Sequence, residues 1–157
     1  GHGRVTALKP IEKLRSKIAN FRDTLNHRYS KKIVELAVKH GCGVIQMEDL
    51  SGIHADDRFL KSWPYDDLQK KIKYKAEAVG IEVRKIDPKY TSIRCSACGH
   101  IAEGNRKTQA DFECVLCGYK TNADYNAARN IATPGIEDII KRKLDEIDTK
   151  MKLAEGS

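Results

Sequence analysis

The sequence has no long hydrophobic run. No stretch of about 18 consecutive apolar residues occurs, so no membrane-spanning helix is predicted. No charged and then apolar leader opens the chain, so no signal peptide is predicted either. We therefore expect a reducing, intracellular location, where the five cysteines favour a metal site plus one spare thiol over a disulfide framework.

Internal repeats and low-complexity tracts are also missing, apart from two similar cysteine-containing segments. The 157 residues suit one ordinary domain, or a small domain that carries a smaller insertion. Two full-size domains are not expected.

Basic residues outnumber acidic ones, at 29 Lys and Arg against 22 Asp and Glu, and the excess lies early in the chain. Residues 1–40 hold ten basic and three acidic residues. This distribution favours a polyanionic partner that contacts the first 40 residues, although a solvated charged face explains it equally well. The candidate phosphate contacts are Arg15, Arg22, Arg28 and Lys31.

Residues 10–40 are predicted to form one long helix that starts near Pro10 and either runs through or breaks near Asn26 and His27. The basic residues are predicted to lie on the face opposite an apolar stripe. The stripe has a residue at every third or fourth position: Ile11, Leu14, Ile18, Phe21, Leu25, Tyr29, Ile33 and Leu36.

A strand, a helix and a second strand are predicted next, over residues 43–50, 62–79 and 81–86. This order favours a parallel crossover and therefore an α/β fold. Cys42 is expected to be a small core residue. The residues expected on the inner face of the helix are Leu68, Ile72, Ala76 and Val79.

Two further helices are predicted over residues 122–132 and 134–153. We expect the apolar stripe of the last helix to dock on the α/β core, with a homodimer contact as the alternative. The stripe consists of Ile136, Ile139, Ile140, Leu144, Ile147 and Met151.

Two segments share the pattern Cys-x-x-Cys-Gly, with 15 residues between them. Two intervening residues let one tight turn present both sulfurs at about 2.3 Å from a single zinc ion. Gly99 and Gly118 supply the backbone freedom that such turns need. The predicted zinc ligands are Cys95, Cys98, Cys114 and Cys117.

Four thiolates complete the zinc shell, so the predicted zinc is structural and has no open position for hydrolysis. His100 is expected to flank the site without binding the metal. Any catalysis must therefore use other residues.

Two carboxylates are candidates for a catalytic site. Glu48 lies near the end of the first predicted strand, and Asp124 begins the helix after the cysteine-rich region. Sites of α/β folds lie at the C-terminal edge of the sheet, where two acids can hold Mg²⁺ for attack of water on a phosphodiester. From spacing alone, a helix cap or a solvated residue is the more ordinary explanation.

Four strings follow one another over nearly the whole chain: VIQMEDLSGI (44–53), KYTSIRCSACGH (89–100), CVLCGY (114–119) and NADYNAARNIA (122–132). Together they closely resemble the C-terminal region of the transposon-encoded TnpB (OrfB) proteins and of their relatives, the compact type V CRISPR effectors. The resemblance implies a partial RNase H-like (RuvC) fold with an inserted zinc ribbon, in a prokaryotic cytoplasm.

The resemblance also implies an RNA-guided endonuclease that uses Mg²⁺ to cut DNA, with guide RNA and target DNA as its partners. Glu48 matches the second catalytic acid of the family and Asp124 matches the third, so both are predicted to bind magnesium. Residues 51–61 correspond to the lid over the RuvC site, where Arg58 and Lys61 are candidate contacts to the scissile strand.

The first catalytic acid of the family has no match, because the only aspartate before Glu48 is Asp23, inside the helical pattern. This chain alone is therefore expected to be inactive and to need the N-terminal remainder of the nuclease. The alternatives are a nuclease-dead RNA-guided relative and a non-enzymatic zinc-ribbon module that binds nucleic acid. The predicted parts are a long basic helix (1–40), a RuvC strand-helix-strand core (41–90), the zinc ribbon (91–121), the final RuvC helix (122–134) and a helical tail (135–157).

Overall fold

The structure, a computed structural model, describes residues 2–51 and 64–155, with side chains from residue 9 to residue 154. It is a mixed α/β arrangement with a long first helix and a long last helix, as predicted. The described residues form two small sheets, of which the second, in the cysteine-rich region, was not predicted. The elements are α1 (His2–Lys39), β1 (Val44–Glu48), α2 (Tyr65–Glu77), β2 (Glu82–Ile86), a 3-10 turn (Glu103–Asn105), β3 (Asp111–Glu113), β4 (Lys120–Asn122), α3 (Ala123–Ile131) and α4 (Ile136–Glu155).

The chain divides into two compact units. The first contains α1, α2 and the starts of β1 and β2, and the second contains the strand ends, the cysteine-rich region, α3 and α4. Their bounds are Gly1–Ile45 with Ile53–Val83, and Gln46–Gly52 with Arg84–Ser157.

Helix α1 is 38 residues long, begins at His2 and runs without a break past Asn26. The prediction that it starts near Pro10 is wrong, because Pro10 lies inside the helix. A proline there removes one main-chain hydrogen bond. The preceding Ala7, Leu8 and Lys9 are strong helix formers, and they extend the helix upstream of the proline.

The face of α1 that packs on α2 is not the apolar stripe. Its buried residues are Asn26, Ser30, Val34 and Ala37, whereas large apolar residues such as Leu14 and Phe21 are 58% and 63% exposed. The predicted separation of basic and apolar faces is also wrong. Arg28, Lys31 and Lys32 line the same surface cavity, of about 560 Å³, as Leu25 and Tyr29.

Buried polar groups fix the contact between α1 and α2. Asn26 Nδ2 donates to Asp67 Oδ2 at 2.8 Å and to the Pro64 carbonyl at 3.1 Å. The ammonium of Lys71, a buried residue of α2, bridges Asp67 and Asp23, with 2.8 Å between Lys71 Nζ and Asp23 Oδ1. Each of these contacts can form at only one alignment of α1 and α2. Together they therefore specify the register of the two helices.

Two residues expected in the core lie outside it. Cys42 is exposed because it lies in the turn between α1 and β1. Val79 is 53% exposed because α2 ends at Glu77, so residue 79 has left the helical face that buries Ile72 and Ala76.

Strands β1 and β2 pair in one two-stranded sheet. The N–H of Glu82 donates to the Gly43 carbonyl at 3.0 Å, and the N–H of Asp49 donates to the Ile86 carbonyl at 2.8 Å. The two strand starts are thus adjacent, as are the two strand ends, which makes the pair parallel. The predicted β1–α2–β2 crossover is confirmed, and Glu48 is the last residue of β1.

The core of the second unit is formed by Ile86, Ile101, Ile136 and Ile140, with Leu144 packed against it. The first half of α4 therefore docks on this core, as predicted. The second half carries exposed residues, including Met151 at 57% and Leu153 at 69%. None of the helices in the described part of the chain is long and apolar enough to cross a membrane.

Candidate functional site

The four cysteines of the repeated pattern lie together. Their sulfurs are all within 4.8 Å of one another. Cys95 Sγ is 3.8 Å from Cys117 Sγ, and Cys98 Sγ is 3.6 Å from Cys114 Sγ. Among all histidine, cysteine and acidic side chains of the described residues, these four cysteines are the group of three or more whose ligand atoms lie close enough together to hold one ion.

The two cysteine turns have the same main-chain hydrogen bonds. The N–H of Cys95 donates to the His100 carbonyl at 2.8 Å, and the N–H of Cys114 donates to the Tyr119 carbonyl at 2.9 Å. In each turn, the N–H of the glycine also donates to the carbonyl of the first cysteine, at 2.9 Å. These glycines, Gly99 and Gly118, have φ angles of +78° and +72°, which an L side chain rarely adopts. The predicted need for glycine at both positions is confirmed.

The sulfur positions fit zinc. A tetrahedron with zinc to sulfur distances of about 2.3 Å has sulfur to sulfur edges of about 3.8 Å, close to the observed 3.6 and 3.8 Å. Burial raises the pKa of Cys98 to about 12. The pKa of Cys114 falls to about 7, since hydrogen bonds from the Cys117 and Leu116 backbone and from neighbouring thiols outweigh its burial. A bound cation would supply the remaining stabilisation that four thiolates need.

Asn105 joins the two cysteine turns. It is fully buried, and its Nδ2 donates to the carbonyls of Ile93 and His100 at 2.9 and 3.1 Å. Its Oδ1 accepts from the N–H of Val115, inside the second turn, at 2.9 Å. One side chain thus satisfies backbone groups on both halves of the cysteine cluster.

Helix α3 is tied to the first cysteine turn by two more buried asparagines. Asn126 accepts from the Ser96 N–H at 2.9 Å and donates to the Arg94 carbonyl at 2.8 Å. Asn130 donates to the carbonyls of Thr91 and Arg94, at 2.8 and 2.7 Å. Neither asparagine was predicted from the sequence pattern. The signal was their spacing of four, which places two asparagines on one face of a helix that otherwise presents apolar residues to the core.

Asp124 lies in the first turn of α3, and the helix start is capped beside it. The side chain of Asn122 accepts from the N–H groups of Asp124 and Tyr125, at 2.9 and 3.1 Å. Such a cap fixes the first turn of a helix. The position of Asp124 therefore depends on a well-defined helix end.

Strand β1 is fixed to the other end of the same helix. Gln46 Nε2 donates to the carbonyls of Ile131 and Thr133, at 2.6 and 3.1 Å. Residues two apart in a strand share a face, so Glu48 lies on the face of β1 that Gln46 presents to α3. This contact brings the two candidate carboxylates into one region.

Glu48 and Asp124 interact through their charges. Burial of Glu48 raises its pKa above the usual range, and the nearby charge of Asp124 raises it further. The pKa of the neighbouring Asp49 is lowered, because Ser51 donates hydrogen bonds to its carboxylate. No third acidic side chain joins Glu48 and Asp124 in a tight group among the described residues.

Comparison with known proteins shows what the chain is similar to. The Cas12f1-like TNB domain family matches residues 65–131, which include the cysteine cluster and α3. The CRISPR-associated endodeoxyribonuclease Cas12f1 of Sulfoacidibacillus thermotolerans is 63% identical over 145 residues, or 92% of this chain and 34% of that protein. A TnpB-like protein of Aquifex aeolicus is 28% identical over 142 residues, or 82% of this chain and 46% of that protein. This chain is homologous to the Cas12f1 and TnpB proteins.

The fold is similar to that of a solved Cas12f1 protein. A solved Cas12f1–sgRNA–target DNA complex contains a chain that superposes with a TM-score of 0.70 at 39% identity, over 85% of this chain and 39% of the solved one. The predicted resemblance is thus confirmed. The chain spans about a third of the length of the Cas12f1 protein that it matches at 63% identity.

The candidate nucleic-acid contacts lie on two segments. Arg15, Arg28 and Lys31 are exposed on α1, and Arg22 is partly exposed there. Arg58 and Lys61 lie outside the described residues, as does the rest of the predicted lid after Ser51.

Proposed function

We propose that this chain contributes two catalytic carboxylates and a structural zinc ribbon to an RNA-guided, Mg²⁺-dependent DNA endonuclease of the Cas12f1 and TnpB family. The observation that carries the proposal is the contact of Gln46 with the carbonyls of Ile131 and Thr133, which holds β1 beside α3. Glu48 at the end of β1 is close enough to Asp124 of α3 for the charge of Asp124 to add to the rise that burial causes in the pKa of Glu48. A second negative charge near a half-buried carboxylate favours a bound cation.

Magnesium suits these ligands, because a hard cation prefers carboxylate oxygens. When bound, it would supply charge stabilisation for attack of water on a phosphodiester. Glu48 and Asp124 would hold the ion, and Gln46 and Asn122 would keep β1 and the start of α3 in place. The acid of the family that has no match here would complete the site, so this chain alone would cut nothing.

The parts of the structure take the following roles in this proposal. The β1–α2–β2 crossover and α3 belong to the RuvC-like core, and residues 91–121 form the zinc ribbon. Helix α1 precedes these parts along the chain, and the tail from residue 135 follows them. Because a Cas12f1 protein has been solved with sgRNA and target DNA, we propose the same classes of partner here.

Magnesium binding tests the carboxylate pair. We expect Mg²⁺ to raise the Tm of the chain above the value in NaCl of equal ionic strength, and we expect Glu48→Gln and Asp124→Asn each to remove that increase. Without Mg²⁺, Glu48→Gln should stabilise the chain at neutral pH by at most about 1 kcal/mol, since Glu48 is half-buried and partly screened.

This stabilisation has a defined pH dependence. The pKa of Glu48 is raised in the folded state, so the wild type is destabilised only where Glu48 is ionised. The advantage of Glu48→Gln should therefore fade as the pH falls through the folded pKa. Asp49→Asn is the matched control and should leave the Mg²⁺ response intact. A full Mg²⁺ response in Glu48→Gln would contradict the assignment.

The cavity on α1 supports a phosphate contact. Arg28, Lys31 and Lys32 line this cavity together with Tyr29, which is 50% exposed, so positive charge and an aromatic ring share one surface. Glu35 also lines the cavity, with its Oε1 3.7 Å from Lys31 Nζ, so the three cations outnumber one carboxylate there. This combination suits a nucleic-acid strand, whose phosphates meet the cations and whose bases stack on the ring.

Charge reversal tests this surface. Replacing Arg28, Lys31 and Lys32 by Glu should weaken binding to RNA or DNA of any sequence at least about tenfold, and should flatten the dependence of affinity on salt. Fluorescence anisotropy at several salt concentrations measures both effects. The control reverses Lys70, Lys73 and Lys150, which changes the net charge equally. Equal losses in the two triple variants would show a general effect of net charge and contradict a local contact.

A further inference from the structure

The zinc site has a charge imbalance. Four thiolates outweigh a divalent zinc ion by two negative charges. Two of the cysteines are almost fully buried, Cys95 at 0% and Cys114 at 2% exposed. Buried charge destabilises a fold unless an opposite charge lies close to it. A nearby cation is therefore expected.

Arg94 lies against the first cysteine turn. It directly precedes Cys95, and its Nη2 is 3.3 Å from the position that a Cβ of Gly99 would take. Arg94, Cys98 and Gly99 also line one cavity, of about 270 Å³. The guanidinium thus lies beside the residues that present two of the four sulfurs.

The orientation of Arg94 is fixed from the opposite side. Its Nη1 donates to Asn130 Oδ1 at 2.6 Å, and Asn130 is itself fully buried. The Nε of Arg94 is buried, and no described residue accepts a hydrogen bond from it. A buried donor of this kind is unfavourable in neutral surroundings, and it is best accommodated beside negative charge.

Two other cations line the same cavity, but each has a different environment. Lys143 Nζ is paired with Glu146 Oε2 at 3.0 Å. Arg142 is exposed and donates to the Asp138 carbonyl of its own helix. Arg94 is the cation in this cavity that a buried partner holds against the cysteine turn.

We propose that Arg94 is the charge-compensating residue of the zinc site, and that its guanidinium offsets the double negative charge of the zinc-bound thiolates. Asn130 positions it. The inference depends on zinc binding by the four cysteines and is independent of nuclease activity. A phosphate in this cavity is disfavoured, because it would lie beside the same negative charge.

Metal affinity of the complete 157-residue chain tests the proposal. Arg94→Met keeps an unbranched apolar stem and removes the charged guanidinium, whereas Arg94→Lys keeps the charge. Zinc affinity, measured by competition with a chelator, should fall about 10- to 100-fold in Arg94→Met and in Arg94→Gln. Arg94→Lys should retain most of the affinity. Arg142→Met, the matched control, should stay within about threefold of the wild type, since an exposed charge contributes little.

Cobalt(II) absorption separates affinity from folding. At saturating Co²⁺, all variants should show the same four-sulfur tetrahedral spectrum, so that a lower affinity reflects charge and not a lost site. Unchanged zinc affinity in both neutral variants would overturn the proposal. So would equal losses in Arg94→Lys and Arg94→Met, or in Arg142→Met and Arg94→Met. Weaker DNA binding with unchanged zinc affinity would also overturn it, and would assign the cavity to phosphate.

Discussion

Cys114→Ser is expected to release the zinc and to unfold residues 91–121. The apolar core of this region is small, since its buried cluster consists of Cys95, Phe112, Cys114 and Ala123. Two of these four residues are zinc ligands in the proposed site. Structural zinc supplies an apparent binding free energy of about 10 to 16 kcal/mol in small zinc domains, which is more than such a core provides.

Metal content and limited proteolysis measure this effect together. The wild type should carry one zinc per chain and resist cleavage in residues 91–121, whereas Cys114→Ser should lose both properties. Cys42→Ser makes the same change of sulfur to oxygen at an exposed cysteine outside the cluster and should change neither. Full zinc retention and protease resistance in Cys114→Ser would rule out a four-cysteine structural site.

Loss of either candidate carboxylate is expected to abolish DNA cleavage. The experiment uses a chimera in which this chain replaces the matching 145-residue region of the Sulfoacidibacillus thermotolerans relative, so that the rest of that protein supplies the missing acid. Glu48→Gln or Asp124→Asn should lower the rate of Mg²⁺-dependent cleavage at least about a thousandfold, because residues that hold one catalytic metal site act as a unit.

Each substitution keeps the size of the side chain and removes its charge, so nucleic-acid binding should stay within a few-fold of the parent chimera. Asp138→Asn, at an exposed carboxylate of α4, is the control and should cleave normally. Cleavage by the 157-residue chain alone would contradict the need for the missing acid, and would point to Asp49, Asp87 or an acid of residues 51–61 as a substitute ligand.

The cysteine cluster and the parallel crossover could be predicted because each depends on a short, local pattern. Two residues between paired cysteines and a glycine after each pair nearly determine the turn, and the structure has the positive φ angles at Gly99 and Gly118. The strand, helix and strand order determines the direction of β2 relative to β1 through the length of the connection. Both features follow from sequence spacing alone.

The packed face of α1 could not be predicted in this way. Helical periodicity favoured the apolar stripe, yet the structure buries Asn26 and Ser30 and exposes Phe21. The partners of Asn26 are Pro64 and Asp67, about 40 positions later. The spacing of apolar residues predicts which face of a helix is apolar. It does not predict which polar groups of another helix will form hydrogen bonds with that helix.

The buried asparagines were missed for the same reason. Asn105, Asn126 and Asn130 are polar, and asparagine is mostly exposed in folded proteins. Each is buried here because its amide matches backbone groups of the cysteine turns, which are positioned by the fold. The pairing of Glu48 with Asp124 was expected from the sheet edge and from the family resemblance, whereas the contact of Gln46 that holds β1 to α3 was not.

The most direct test of the proposed site is the cleavage rate of the chimera that carries both Glu48→Gln and Asp124→Asn. The measurement is a time course of DNA cutting with guide RNA and Mg²⁺, with bound nucleic acid and zinc content determined on the same samples. We predict no Mg²⁺-dependent cleavage above background and no loss beyond that of either single variant, while zinc and binding are retained. A doubly substituted chimera that still cuts at the parent rate would show that Glu48 and Asp124 do not form the active site.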